Sequence, residues 1–153
     1  MVKGNLYFEE FLIAGISLRT TNEADQSQMD IGNLWSRFFR DKVIETLPRK
    51  ISDEIYCLYS GYDPDHLNIY DTTIGCRIES VKNLPPGLVM RKISSGKYAH
   101  YISAGKLPQC VVATWREIWQ TRNDRIFTSD FDVYGEKARD MTFAEVETFL
   151  SIV

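Results

Sequence analysis

Phe131-Asp132-Val133-Tyr134 sets an acid and a phenol two residues apart within a run of strand-forming residues. Side chains alternate between the faces of a strand. If Phe131 and Val133 face a core, Asp132 and Tyr134 share the other face. A carboxylate beside aromatic rings is the physical recipe for holding a delocalised organic cation. Glu54 and Tyr56 repeat the acid-then-ring spacing earlier in the chain. Tyr59, Tyr62, Tyr70, Tyr98 and Tyr101 also fall on expected strands or their ends, and Trp35, Trp115 and Trp119 fall on expected helices. Odd spacing sends Tyr56 and Tyr59 to opposite faces, and Tyr98 and Tyr101 likewise. Some of these rings must therefore lie at an opening or a seam, where a tyrosine's flat apolar body and polar tip suit a wet cavity. The candidate ligand-binding residues are Asp132, Tyr134, Glu54, Tyr56, Tyr59, Tyr70, Trp35, Tyr98, Trp115 and Trp119. The competing assignment makes the helix rings core, the tyrosines ordinary strand residues, and Asp132 an exposed side chain on an edge strand.

Other chemistries find little support. His66 lies in a turn beside Asp63 and Asp65. His100 alternates with Tyr98, and neither Ser95 nor Cys110 is marked as its nucleophile. The chain has no G-x-S-x-G, no phosphate loop and no dinucleotide fingerprint. Gly96-Lys97-Tyr98 lacks both the upstream glycine and the hydroxyl residue after lysine that a phosphate loop needs. Cys57, Cys76 and Cys110 form no CxxC pair and no metal spacing, so they are expected to be reduced, buried thiols. No metal and no cofactor is expected.

The elements that carry these residues are set by the spacing of the apolar positions and by the turn residues between them. Leu6 to Thr20 has strand composition interrupted by Gly15. Ile31, Leu34, Trp35, Phe38, Phe39, Ile44 and Leu47 recur three and four apart, predicting a helix with Asp30 as N-cap and Pro48 as its stop. Glu54 to Tyr59 and Asn68 to Glu79 are strands on either side of a turn at Tyr62-Asp63-Pro64-Asp65. Pro85-Pro86-Gly87 divides the chain. Beyond it, Leu88 to Ser103 is one long strand or a hairpin about Ser94-Ser95-Gly96. Pro108 suits the first turn of a helix carrying Val111, Val112, Trp115, Ile118 and Trp119. Thr128 to Tyr134 and Phe143 to Val153 are strands. Each half, residues 1–84 and 88–153, thus reads strand, helix, strand, strand, an internal repeat of about 70 residues. The expected architecture is a single α+β domain over 1–153 with a cleft at the pseudo-two-fold seam, where pockets form readily.

Composition sets the outer limits. The chain has 153 residues, 44% hydrophobic and 12% aromatic, which suffices for a core. A formal net charge of -3 argues against non-specific nucleic-acid binding and suits cationic ligands. The first ten residues show no signal-peptide pattern, and no apolar run approaches membrane-spanning length, so a cytoplasmic location is expected.

The stretch Arg125-Ile126-Phe127-Thr128-Ser129-Asp130-Phe131-Asp132-Val133-Tyr134 resembles the closing motif of gyrase-inhibitor-like (GyrI-like) effector-binding domains. It is most similar to their integron-associated branch, which also occurs as the C-terminal half of AraC-type regulators. Ile93-Ser94-Ser95-Gly96-Lys97-Tyr98-Ala99 resembles the family's "aGkYa" strand. Gly105 with Leu107-Pro108 resembles the entry to its second helix, and Trp115-Arg116-Glu117-Ile118-Trp119 that helix's core. Tyr59, Tyr62 and Tyr70-Asp71-Thr72-Thr73-Ile74-Gly75 look like the branch's first-half strands. The resemblance implies tandem βαββ repeats forming one antiparallel sheet with two helices and a ligand cleft between halves. It implies binding of amphipathic, often cationic, small molecules there. It implies a sensor or co-regulator of transcription without a DNA-binding segment of its own, acting with a partner protein that has one. The family's acid is usually glutamate, and the matching residue here is Asp132. Aspartate withdraws the charge by about 1.5 Å, one C–C bond, so contact with a cation would be weaker, water-mediated, or handed to Glu54. The alternatives are a hydrolase using the cleft carboxylate and a protein-interaction module of gyrase-inhibitor type.

Overall fold

The computed structural model describes residues 2–153. In chain order its elements are β1 (Val2–Phe8), β2 (Phe11–Thr21), α1 (Gln26–Arg40), the single turn α2 (Val43–Thr46), β3 (Ile55–Ser60), β4 (Ile69–Ile78), β5 (Val89–Ile93), β6 (Gly96–Gly105), α3 (Gln109–Thr121), β7 (Arg125–Tyr134) and β8 (Ala144–Ile152). All eight strands form one antiparallel sheet in the order β1-β6-β8-β7-β3-β4-β2-β5. Exchanging β1 with β5, β2 with β6, β3 with β7 and β4 with β8 reverses this order onto itself. The sheet therefore has the pseudo-two-fold symmetry of tandem βαββ repeats, with its axis between β3 and β7. On that axis Cys57 is the register partner of Asp132.

Two expectations about strands need correction. Residues Leu6 to Thr20 are not one strand: the run breaks at Glu9-Glu10, and its two parts pair at opposite ends of the sheet, β1 with β6 and β2 with β4 and β5. Leu88 to Ser103 is neither one strand nor a hairpin, because β5 joins β2 while β6 joins β1 and β8. Each half thus lends its leading strand to the other. A hydrophobic pattern specifies strand faces but not partners.

The sheet is buried on both faces. On one, α1 lays Leu34 and Phe38 over Ala14, Ile16, Ile74 and Cys76, and α3 lays Val111, Trp115 and Ile118 over Ala99, Tyr101, Val146 and Leu150. On the other, Phe11, Tyr56, Tyr98, Phe131 and Phe149 gather around Phe8. The Phe8 and Phe11 rings are 6.1 Å apart although their strands stand first and seventh in the sheet, so the sheet curls over this aromatic cluster. Where β2 crosses β4, Gly15 faces Gly75. A Cβ on Gly15 would come 1.9 Å from the Ile74 carbonyl oxygen, and one on Gly75 equally close to that of Ala14. Only paired glycines permit this approach.

Helix α1 begins earlier than its apolar pattern indicates. Asp30 is not an N-cap but sits inside the helix, accepting from Thr20 Oγ1 at 2.8 Å and Gln26 Nε2 at 2.9 Å. The polar first turn has no apolar signal to mark it. The helix also ends sooner, at Arg40, with α2 following as a separate turn. Cys57 and Cys76 are buried, whereas Cys110 is only partly so. No helix among the described residues is long and apolar enough to cross a membrane.

Candidate functional site

The helix-bearing face of the sheet divides at the pseudo-two-fold axis, and a cleft of about 670 Å³ opens there. This falls within the range of about 300–1,000 Å³ usual for small-molecule sites. One wall is α1, through Gly32, Trp35 and Phe39. Opposite stand Leu107 and Pro108 at the entry to α3, joined by a cis peptide bond. Ile55 and Tyr134 come from the two central strands. Trp35 and Phe39 are one helical turn apart and stack with centroids 5.8 Å apart, and Tyr134 meets the Trp35 ring edge-on at 4.9 Å. The rim carries Asp53, Glu54 and Glu136 against Arg139, a majority of negative charge.

Asp132 lies behind this wall. It is fully buried and does not itself line the cleft. Tyr59 Oη donates to its Oδ2 at 2.9 Å, Trp115 Nε1 to its Oδ1 at 3.2 Å, and Thr148 Oγ1 bonds the same oxygen. The donors come from β3, α3 and β8, so one carboxyl ties both halves together. All are neutral, and none of the ion pairs among the described residues includes Asp132. Burial pushes its pKa up to about 6, against the pull of the three hydrogen bonds. Tyr134 lies near enough that, after burial itself, the Asp132 charge is the main influence raising its phenol above the ordinary range.

The candidates thus divide into three groups. Trp35, Glu54 and Tyr134 line the cleft. Asp132, Tyr59 and Trp115 form the hydrogen-bonded layer behind it. Tyr70 extends that layer: its ring lies 5.9 Å from Tyr59, and its hydroxyl donates to Asn22 Oδ1 at 2.6 Å. The remaining three do not belong there. Tyr56 and Tyr98 point into the aromatic cluster on the opposite face, as the odd spacing from Tyr59 and Tyr101 required. Trp119 is 53% exposed on the outer side of α3. Glu54, unlike Asp132, lines the cleft directly, exposed at the rim with its carboxylate beside Gly135.

Several cleft residues carried no sequence signal. The helical period assigns Phe39 to the apolar face, but not to a cleft, where it stands 60% exposed at the mouth. Asp53, Arg139 and Met141 come from loops, where periodicity says nothing. Asp130 carries the same alternation signal as Asp132. It shares the face of Asp132, is equally buried, and pairs with Arg125 at 2.8 Å.

One curled antiparallel sheet of two exchanged βαββ halves, with its cleft at the seam, defines the chain as a gyrase-inhibitor-like α+β domain. The chain belongs to the integron-associated effector-binding protein family, whose sequence model matches residues 6–152. YobU of Bacillus subtilis (strain 168), a candidate transcriptional regulator, is 29% identical over 144 residues, covering 91% of this chain and 90% of that one. The integron cassette protein VCH_CASS2 from the mobile metagenome of Vibrio cholerae superposes with a TM-score of 0.75 at 26% identity, over 99% of this chain and 97% of its own. SAV2435, solved with tetraphenylphosphonium bound, shares the fold with a TM-score of 0.82 at 17% identity, over 100% of this chain and 94% of its own.

Proposed function

We propose that this protein binds an amphipathic organic cation in the cleft between α1 and α3 and serves as an effector-sensing module in transcriptional control. The observation that carries this is Asp132. A fully buried carboxyl held only by neutral donors is costly when ionised, and a cation in the cleft on the other side of the Tyr134 wall offsets part of that cost through space. The wall of Trp35, Phe39 and Tyr134 offers aromatic faces to a delocalised charge, while Ile55, Leu107 and Met141 accept apolar substituents. The acidic rim draws cations toward the mouth. Tetraphenylphosphonium, the ligand bound to SAV2435, has this combination of charge and apolar bulk. The regulatory part of the reading is supported by the likeness to YobU. The protein's effect on transcription is proposed to run through a partner protein that contacts DNA.

Titration with tetraphenylphosphonium, followed by tryptophan fluorescence and calorimetry, tests the reading. Saturable one-to-one binding is expected, weakened at least tenfold in Asp132→Asn and about tenfold in Trp35→Ala, the loss of one desolvated ring contact being worth about 1–2 kcal/mol. Absence of saturable binding across a panel of lipophilic cations, or equal affinity in Asp132→Asn, would overturn it.

A further inference from the structure

The pseudo-two-fold axis has a consequence for the side of the seam away from the cleft. The cleft wall pairs Trp35 of α1 with Tyr134 of β7, a helix of one half against a central strand of the other. Its image pairs Trp115 of α3 with Tyr59 of β3, again edge-on, with centroids 5.2 Å apart. The space beside that second pair is filled by the side chain of Arg125, which is 11% exposed. The centre of its guanidinium lies 4.2 Å from the centroid of Phe127, 5.7 Å from Trp115 and 6.0 Å from Tyr62. Its Nη2 donates to Asp130 Oδ2 at 2.8 Å and toward Tyr62 Oη at 3.4 Å, while its buried Nε has no partner. Three rings, a fully buried acid and a planar organic cation thus occur together.

We infer that this fold carries two quasi-equivalent organic-cation sites, and that the second is a guanidinium site occupied by the chain's own Arg125 as a tethered ligand. The local backbone is built around that occupancy. Five residues of regular strand would hold Arg125 and Asp130 about 16 Å apart and on opposite faces. Instead β7 loses its register with β8 between these two residues, and Phe127 adopts φ +57°, a conformation uncommon for a bulky side chain. The irregular stretch turns Arg125 back onto Asp130 and places the Phe127 ring beneath the guanidinium. Asp130 is otherwise satisfied by Tyr62 Oη at 2.6 Å, Ser151 N at 2.8 Å and Ser151 Oγ at 3.0 Å, so the cage keeps fixed polar contacts besides the arginine. A ligand class follows: a monosubstituted guanidinium, flat enough to stack on Phe127 and able to donate to Asp130. The further consequence, that Arg125 confines an external ligand to the open half of the seam, rests on the proposed function above.

Vacating the cage and refilling it tests the site. Arg125→Ala is expected to melt at least about 5 °C below the unsubstituted protein. Ethylguanidinium chloride, at ionic strength matched with sodium chloride, should restore most of that loss saturably at millimolar concentration. Ethylammonium chloride should act at least tenfold more weakly, because it lacks the planar face and forked donors. Neither salt should shift the unsubstituted protein saturably, and Arg125→Ala/Asp130→Asn should show no rescue. Rescue that is absent, that is equal for the two cations, or that survives loss of Asp130 would overturn the inference. Should Arg125→Ala not fold alone, the readout becomes folded protein recovered on dilution from urea with and without ethylguanidinium. Recovery that depends on the guanidinium supports the site, and recovery indifferent to it overturns it. Tetraphenylphosphonium titration of the unsubstituted protein reads the open cleft separately, so either idea can fail without the other.

Discussion

Replacing Asp132 by asparagine separates the cost of its buried charge from the rest of the fold. An isolated aspartate ionises near 3.8, and in the folded chain this one is held at about 6. At about 1.36 kcal/mol per pKa unit, that rise corresponds to about 3 kcal/mol. Its sign follows from which state holds the proton. Below pH 3.8 the carboxyl is protonated in both folded and unfolded chains and costs nothing. Between there and about 6 the unfolded chain releases its proton while the folded chain retains it, so folding stability falls as pH rises. Above that window the penalty is constant. Asparagine cannot ionise and lacks this dependence. It does add a pH-independent offset, because one oxygen that accepts hydrogen bonds becomes a donor. Urea unfolding of both proteins at intervals from about pH 4 to 7.5 cancels the other carboxylates when the curves are subtracted. The difference should drift by about 2.4 kcal/mol across that range, in favour of the variant at high pH, equivalent to about 5–10 °C in melting temperature for a chain of this size. A difference that stays flat within about 0.5 kcal/mol would refute the buried, uncompensated acid. On the proposed function the same group links ligand to proton: a carboxyl titrating at about 6 is ionised in about nine molecules of ten at pH 7 and one in ten at pH 5. Cation affinity should therefore fall about tenfold over that interval in the unsubstituted protein and stay level in Asp132→Asn.

Glu54→Gln should weaken cation binding by less than about threefold at low salt and have no measurable effect at about 0.5 M, because a rim charge is solvated and screened; titrations at the two salt concentrations check this. Gly15→Ala should cost more than about 3 kcal/mol or prevent folding, since its Cβ would lie 1.9 Å from the Ile74 carbonyl oxygen of the neighbouring strand. Near-normal urea stability of that variant would mean the β2–β4 crossing is looser than the paired glycines indicate.

How far the sequence discloses this architecture depends on the range of the interaction. Alternation is local, and it assigned faces well. Phe131 and Val133 enter the aromatic cluster while Asp132 and Tyr134 take the helix side, and Tyr56 and Tyr59 part company as their spacing demands. Strand partners are not local. Nothing between Leu6 and Thr20 shows that Glu9-Glu10 joins strands at opposite ends of the sheet, and nothing in Ser94-Ser95-Gly96 shows a crossover instead of a hairpin. The exchanged leading strands therefore became visible only in three dimensions. The cleft lies between these cases. The repeat and the family resemblance both placed it at the seam, and the rings flanking the axis are Trp35 and Trp115, one from each repeat. The loop residues at its mouth have no periodicity to reveal them. Arg125 was invisible for another reason: its position arises from a loss of strand register, which breaks the alternation used to assign faces.

Asp130 and Asp132 explain why one acid is spoken for and the other is available. They are two residues apart on β7, share a face, and are both fully buried. Two buried carboxylates so close cannot both ionise at low cost unless at least one has a counter-charge. Arg125 supplies it to Asp130, brought there by the irregular stretch of β7 around Phe127. Asp132 receives only neutral donors, and the nearby Asp130 raises its pKa further. A tethered cation at both positions would stabilise the fold and leave no charge for a ligand to answer. A cation at neither would leave two mutually repelling acids at the seam. Pairing one and leaving the other creates a domain whose ionised form lacks a single positive charge, next to a cleft walled by aromatic rings. That acid is gripped by β3, α3 and β8 together. On the proposed function, a cation that shifts its charge state would act at once on both halves of the repeat, which is the physical requirement for binding to be felt elsewhere in the molecule.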